Sequence, residues 1–184
     1  MNMHELITSR RTTFQFQDQP VPEEVLRRAL EAARWAPNHK MTQPWRFVLV
    51  GPETSGRLKA YAVRRLAEKL SSKGLSEDEI AERMRQPQPV IPCQILVYAL
   101  RSPDPGRAKE DYAATCCAVQ NLMLAAWADG VASGWKSFDK AEGYQLFGLD
   151  PALTQIVGLL QLGYPLKARS SQRQPLESFI ETRP

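Results

Sequence analysis

A chain of 184 residues, 43% hydrophobic and 24% charged, has the size of one domain and the balance of an ordinary globular protein. That excludes the collagen-like, disordered and disulfide-scaffold classes. Its charge is mild, 24 basic against 20 acidic residues. No concentrated basic stripe interleaved with aromatics is present, so nucleic acid is not an expected partner.

The start, Met-Asn-Met-His-Glu, has no apolar leader, and a cytoplasmic setting is the expectation. Residues 3–10 read as a short helix, with Asn2 as cap and Glu5 completing a capping box. Arg10 and Arg11 end it, and 12–21 is a polar connection closed by proline. A second helix spans about 22–35. Pro22 suits its first turn, and Val25, Leu26, Ala29, Leu30 and Ala33 form one apolar stripe. Pro37 ends it, and loop 38–44 leads into a strand at 45–50, stopped by Gly51-Pro52.

Residues 54–86 are charged and helical, broken at Gly74-Leu75-Ser76, where Ser76 caps a second piece. This polar stretch suits a peripheral cover. Pro87, Pro89 and Pro92 lead to a central strand at 93–100, and 101–107 is a turn. The helix expected over 108–129 is apolar nearly all round, which fits the core axis or a subunit interface. After Gly130 come a strand at 131–137, a small helix at 140–147 and a last apolar strand at 156–164. The tail, 165–184, has no core of its own, and a partner subunit is one candidate for what it lies on. The mixed order of elements, without strict βαβ repeats, predicts an α+β sandwich of helices on a small sheet in a single domain.

The longest apolar run, Leu122–Ala128, is far short of a membrane span. Cys93, Cys116 and Cys117 have no C-x-x-C spacing and read as reduced core thiols. No two of the ten glycines are spaced G-x-G, so neither a Rossmann fingerprint nor a P-loop exists. With only His4 and His39, a zinc site is not expected. An enzyme with this inventory would leave the chemistry to a bound cofactor.

Three clusters concentrate binding chemistry. Ser9-Arg10-Arg11-Thr12 offers two guanidiniums and hydroxyls to a phosphate, although cations also suit a helix C-terminus. The stretch from Ala36 to Phe47 gathers polar side chains and His39 between two prolines; it fits a flavin edge, or a surface loop with Trp45 and Phe47 in the core. Gly134-Trp135-Lys136-Ser137 can wall and edge a ring, or be a buried tryptophan beside a solvent-facing lysine.

Taken together, the clusters resemble the FMN-dependent nitroreductase family in its minimal-length branch. Arg10-Arg11-Thr12 is similar to the family's R-R-S/T opening, and Ala36-Pro37-Asn38-His39 through Gln43-Pro44-Trp45-Arg46-Phe47 to its A-P-x-x-x-x-x-Q-P-W-x-F signature. Gly134 to Ser137 resembles its second flavin-edge strand, and Ile156-Val157-Gly158 to Gly163-Tyr164-Pro165 its closing strand. The resemblance implies an α+β sandwich in a homodimer whose subunits embrace, with two FMN molecules at the interface. By position, Arg10, Arg11, Thr12 and Arg173 would hold the phosphate and ribityl chain. Trp135, Lys136 and Ser137 would line the ring, while Trp35 and His39 would approach from the partner subunit. Thr12 stands where Ser is commoner, Lys136 where a close branch has Arg, and Trp35 where a basic residue is usual.

The implied activity is ping-pong oxidoreduction. NADH or NADPH delivers a hydride to flavin N5, and an electron-poor small molecule, such as a nitroaromatic or quinone, is then reduced. No side chain is assigned as acid or base. Two alternatives keep the flavin: a non-catalytic FMN-binding or storage protein, and a same-fold flavoenzyme that dehydrogenates a substrate or breaks down the flavin.

Overall fold

The computed structural model describes residues 1–167 and 170–183. Helix α1 (Met3–Ser9) opens with the expected reciprocal cap: the Glu5 amide donates to Asn2 Oδ1 and the Asn2 amide to the Glu5 carboxylate, each at 2.9 Å. Helix α2 (Glu23–Arg34) turns Val25, Ala29 and Ala33 into the core. It packs along α5 (Pro105–Ala128), the longest helix described.

Helix α5 starts three residues earlier than the expected 108. Pro105 and Gly106 look like turn residues in isolation, but proline is suited to a helix's first turn, and the Asp104 side chain accepts from the Arg107 amide at 3.0 Å. One side of α5 is buried through Ala114, Ala118, Leu122 and Ala126. Tyr112, Cys116, Leu124, Ala125 and Trp127 are covered only in part by their own chain.

Four strands form one antiparallel sheet in the order β1 (Trp45–Leu49), β2 (Cys93–Leu100), β4 (Thr154–Gly163), β3 (Ala132–Lys136). The expected central position of 93–100 is borne out. Strand β4 begins at Thr154 rather than 156 because pairing with β2 runs on to Leu100↔Thr154. Ile95, Val97, Leu160 and Leu162 fill one face of the sheet against α2 and α5. Leu96, Ile156 and Leu159 fill the other with Leu58, Phe138 and residues of α6 (Ala141–Phe147). This alternation is the period-two signature of a sheet covered on both faces.

Helices α3 (Pro52–Ser71) and α4 (Glu77–Arg85) bury only Leu58 between them. The break falls at Gly74, which has φ +82°, and Ser76 caps α4.

The connection 12–17 does more than join α1 to α2. Thr12 bridges Ser133 in parallel, and Phe16 bridges Pro165. The Thr13 amide donates to the Ser133 carbonyl at 3.1 Å, and the Gln17 amide to that of Tyr164 at 2.9 Å. The chain after α1 is thus stitched to β3 and to the end of β4.

Beyond Leu166 the described tail residues are all exposed, with a short 3-10 turn at Leu176–Phe179. Leu176, Phe179 and Ile180 are 67%, 69% and 58% exposed. The tail expected over 165–184 also includes Ala168, Arg169 and Pro184, which lie outside the described residues.

Candidate functional site

The end of α1 is fixed before its arginines begin. Trp127 on α5 donates its indole N–H to Ser9 Oγ at 2.9 Å. Arg10 and Arg11 follow at once, and Thr12 enters the bridge to β3. The two guanidiniums are thereby held in the corner between α1, α5 and β3.

That corner is electrostatically unfinished. Arg10 Nη1 and Arg11 Nε are buried without a hydrogen-bond partner, and so is Ser133 Oγ, one bridge away. Among the described residues, no carboxylate pairs with Arg10, Arg11 or Arg173. Burial lowers the pKa of Arg10, and the neighbouring charges of Arg11 and then Arg173 lower it further. The tail arginine therefore lies close enough to Arg10 to repel it. Two buried, unused guanidinium donors with a third positive charge nearby favour an anion among them.

The three arginines are not equivalent. Arg11 Nη1 donates to the carbonyls of Thr8 at 2.6 Å and Arg10 at 2.8 Å, which caps α1. Arg173 is exposed and braced by Ser171 Oγ at 3.0 Å. The Arg10 side chain has no such commitment.

Strand β3 supplies the adjoining surface. Gly134 is buried, and a Cβ there would collide with the Phe14 ring and the Thr13 carbonyl. Trp135 turns toward the core, where its indole N–H donates to the Val157 carbonyl at 3.1 Å and its ring covers Gly158. Lys136 ends the strand exposed on its own chain, with Nζ 5.2 Å from the Phe14 centroid, and partial desolvation lowers its pKa. Ser137 and Thr12 are exposed.

Trp35 and His39 lie apart from this group, on the stretch between α2 and β1, and make no hydrogen bond to it. Trp35 is 73% exposed, with its N–H on Glu31 at 2.9 Å and the Arg34 guanidinium 5.4 Å from its ring. His39 is exposed at the start of a 3-10 turn, His39–Met41. This loop is strained: Lys40, Met41 and Gln43 have φ of 50°, 53° and 45°, a region that non-glycine residues rarely adopt. Asn38 Oδ1 holds it by accepting from the Gln43 amide at 2.9 Å, and buried Asp111 on α5 accepts from the Thr42 hydroxyl at 2.6 Å.

Phe14, Asp111 and Ser133 were absent from the sequence-based candidates. Ser133 carried a readable signal, a polar residue inside an apolar strand. Asp111 and Phe14 carried none, since their partners lie 69 and 122 positions away.

The cysteines are unpaired, and burial pushes the Cys93 thiol up to about 11, which leaves it protonated and unreactive at neutral pH. Among the described residues no group of side chains suits a metal ion, and no helix is long and apolar enough to cross a membrane.

The nitroreductase family pattern matches residues 7–164. The Bacillus subtilis protein YfhC, provisionally named an NAD(P)H nitroreductase, is 34% identical over 97% of this chain and 93% of its own. The crystal structure of a nitroreductase-like family protein from Bacillus cereus superposes with TM-score 0.77 at 31% identity, covering 100% of this chain and 96% of the other. A Desulfovibrio desulfuricans protein, provisionally named a nitroreductase and crystallised with FMN, gives 0.72 at 26% identity, with 100% and 98% covered. The fold, the ordered motifs and these likenesses agree, and the chain belongs to the nitroreductase family.

Proposed function

We propose that this protein is an FMN-dependent NAD(P)H oxidoreductase that works as a homodimer on an electron-poor acceptor such as a nitroaromatic or quinone. The observation that carries the reading is Arg10: a buried, unpartnered guanidinium nitrogen beside Arg11 and Arg173, with no carboxylate to neutralise them. The terminal phosphate of FMN meets that need, and a related protein is named as an FMN complex.

In this reading Arg10 and Arg173 grip the phosphate, Arg11 contributes its free Nε, and Thr12 offers its hydroxyl. Lys136 and Ser137 border the ring, with Trp135 as the wall behind. Trp35 and His39, exposed on their own chain, reach the flavin of the partner subunit. When bound, FMN supplies the redox chemistry, accepting a hydride from NADH or NADPH and passing electrons to the acceptor. The chain's residues bind it, orient it and set its electrostatics. The α3–α4 hairpin, with little core of its own, covers access to the site. Unpaired thiols and the need for NAD(P)H favour a cytoplasmic setting.

The test is an FMN titration of wild type and Arg10→Ala. Loss of a charged hydrogen bond is worth about 1.5–3 kcal/mol, so the variant should bind FMN at least tenfold more weakly. Unchanged affinity would sink the phosphate assignment.

A further inference from the structure

The Lys136 ammonium is held by an aromatic ring and not by a carboxylate. Its Nζ lies 5.2 Å from the Phe14 centroid, and among the described residues it has no ion-pair partner. The Phe14 ring is fixed from below. It lies on Gly134 so closely that even a methyl group at that position would strike it. The preceding residue, Thr13, is bonded to the Ser133 carbonyl at 3.1 Å. Strand, glycine, ring and ammonium therefore form a stack built on the edge of the sheet.

This support has a chemical consequence. A carboxylate partner would cancel the lysine's charge and occupy its N–H donors. A ring face attracts the cation through its quadrupole and leaves the charge whole and the three donors free. Lys136 is exposed on its own chain, and the partial desolvation it does undergo, with no counter-charge beside it, lowers its pKa. An ammonium prepared in this way suits a group that becomes negative during the reaction.

We infer that Phe14 is a positioning residue, which holds the Lys136 ammonium with its donors free toward the flavin edge that gains negative charge on reduction. The inference rests on the FMN reading proposed above. It assigns Phe14 a part in setting the flavin's redox potential.

The test is the two-electron midpoint potential of FMN-loaded wild type, Phe14→Leu and Phe14→Tyr. In Phe14→Leu the preference for reduced over oxidised FMN should fall roughly threefold, a negative shift of about 14 mV for a two-electron couple. Phe14→Tyr, which keeps the ring, should restore the wild-type value. In a Lys136→Ala background Phe14→Leu should have no further effect.

The inference is overturned if Phe14→Leu binds FMN with wild-type potential, or if its shift persists without Lys136, which would make Phe14 simple packing. A second readout needs no flavin: the ε-CH2 NMR signal of Lys136 in the apo protein should lose its ring-current shift in Phe14→Leu and keep it in Phe14→Tyr. An unshifted wild-type signal would remove the contact itself. If Phe14→Leu does not fold, Phe14→Met serves in both experiments. Failure of the wild type to bind FMN would overturn the functional reading and this inference with it, an outcome distinct from normal binding with an unmoved potential.

Discussion

Arg10 and Arg11 are adjacent in the chain, yet their guanidiniums are employed differently. Arg11 spends Nη1 on the carbonyls of Thr8 and Arg10, so it closes α1 as well as facing the corner. Arg10 has no acceptor for its buried Nη1 and is repelled by both neighbours. Replacing each by alanine should separate these roles. Arg10→Ala should cause the larger loss of FMN affinity with little fall in apo-protein Tm, since an uncompensated buried charge goes with it. Arg11→Ala should weaken FMN less and lower Tm more. FMN titration and thermal melts of both variants check this, and the reverse order would contradict it.

The sequence singled out this pair as phosphate-binding or helix-capping; Arg11 makes the capping bonds, and Arg10 keeps the unpartnered nitrogen on which the phosphate proposal rests. The division was illegible because it depends on which carbonyls the chain turns back toward. Asp111 was illegible for a related reason. In sequence it is one acid near a helix start, and only the fold brings Thr42 to it and makes it the anchor of a strained loop.

At the scale of elements, legibility followed local chemistry. The capping box at Asn2, the cap at Ser76, the proline stop after α2 and the apolar run of β2 are written in neighbouring residues, and they fall where the sequence put them. The bridges of residues 12–17 were missed because each pairs with a distant partner and none makes a full strand. The α3–α4 hairpin offers a test. Ser76 Oγ accepts from the Glu79 amide at 3.3 Å, and the Glu79 carboxylate accepts from the Ser76 amide at 2.8 Å. Ser76→Ala should weaken α4 by about 1 kcal/mol. Amide exchange should then speed in α4 and remain unchanged in β2 and β4; a uniform change would contradict the picture of α4 as a unit that opens alone. The bonds from Ser76 hold the Glu79 carboxyl below its ordinary pKa. Its contribution is therefore complete above the unfolded pKa and is lost as pH falls through the folded value, so α4 should loosen in acid.

At the scale of the whole molecule, one chain leaves apolar surface without cover. Tyr112, Cys116, Leu124, Ala125 and Trp127 are partly uncovered along α5, and Leu176, Phe179 and Ile180 stand out from the tail. The apolar character of the helix and the coreless tail were both legible in the sequence, which also offered a partner subunit as their cover. In the proposed homodimer a second copy would cover both. Sedimentation should give twice the chain mass, and removal of residues 174–184, which spares Arg173, should weaken the dimer. A monomer at micromolar concentration, or a dimer indifferent to the truncation, would contradict this.

The central claim is that the arginine corner and the end of β3 serve a redox-active flavin. The visible absorption spectrum of the purified protein, taken before and after anaerobic NADH or NADPH, tests it most directly. The account predicts a flavin band, present on isolation or after soaking in FMN, that bleaches on addition of a nicotinamide nucleotide. A band that does not bleach would contradict the reductase reading and favour storage or a different flavin reaction. No band after soaking in FMN would contradict the flavin site itself.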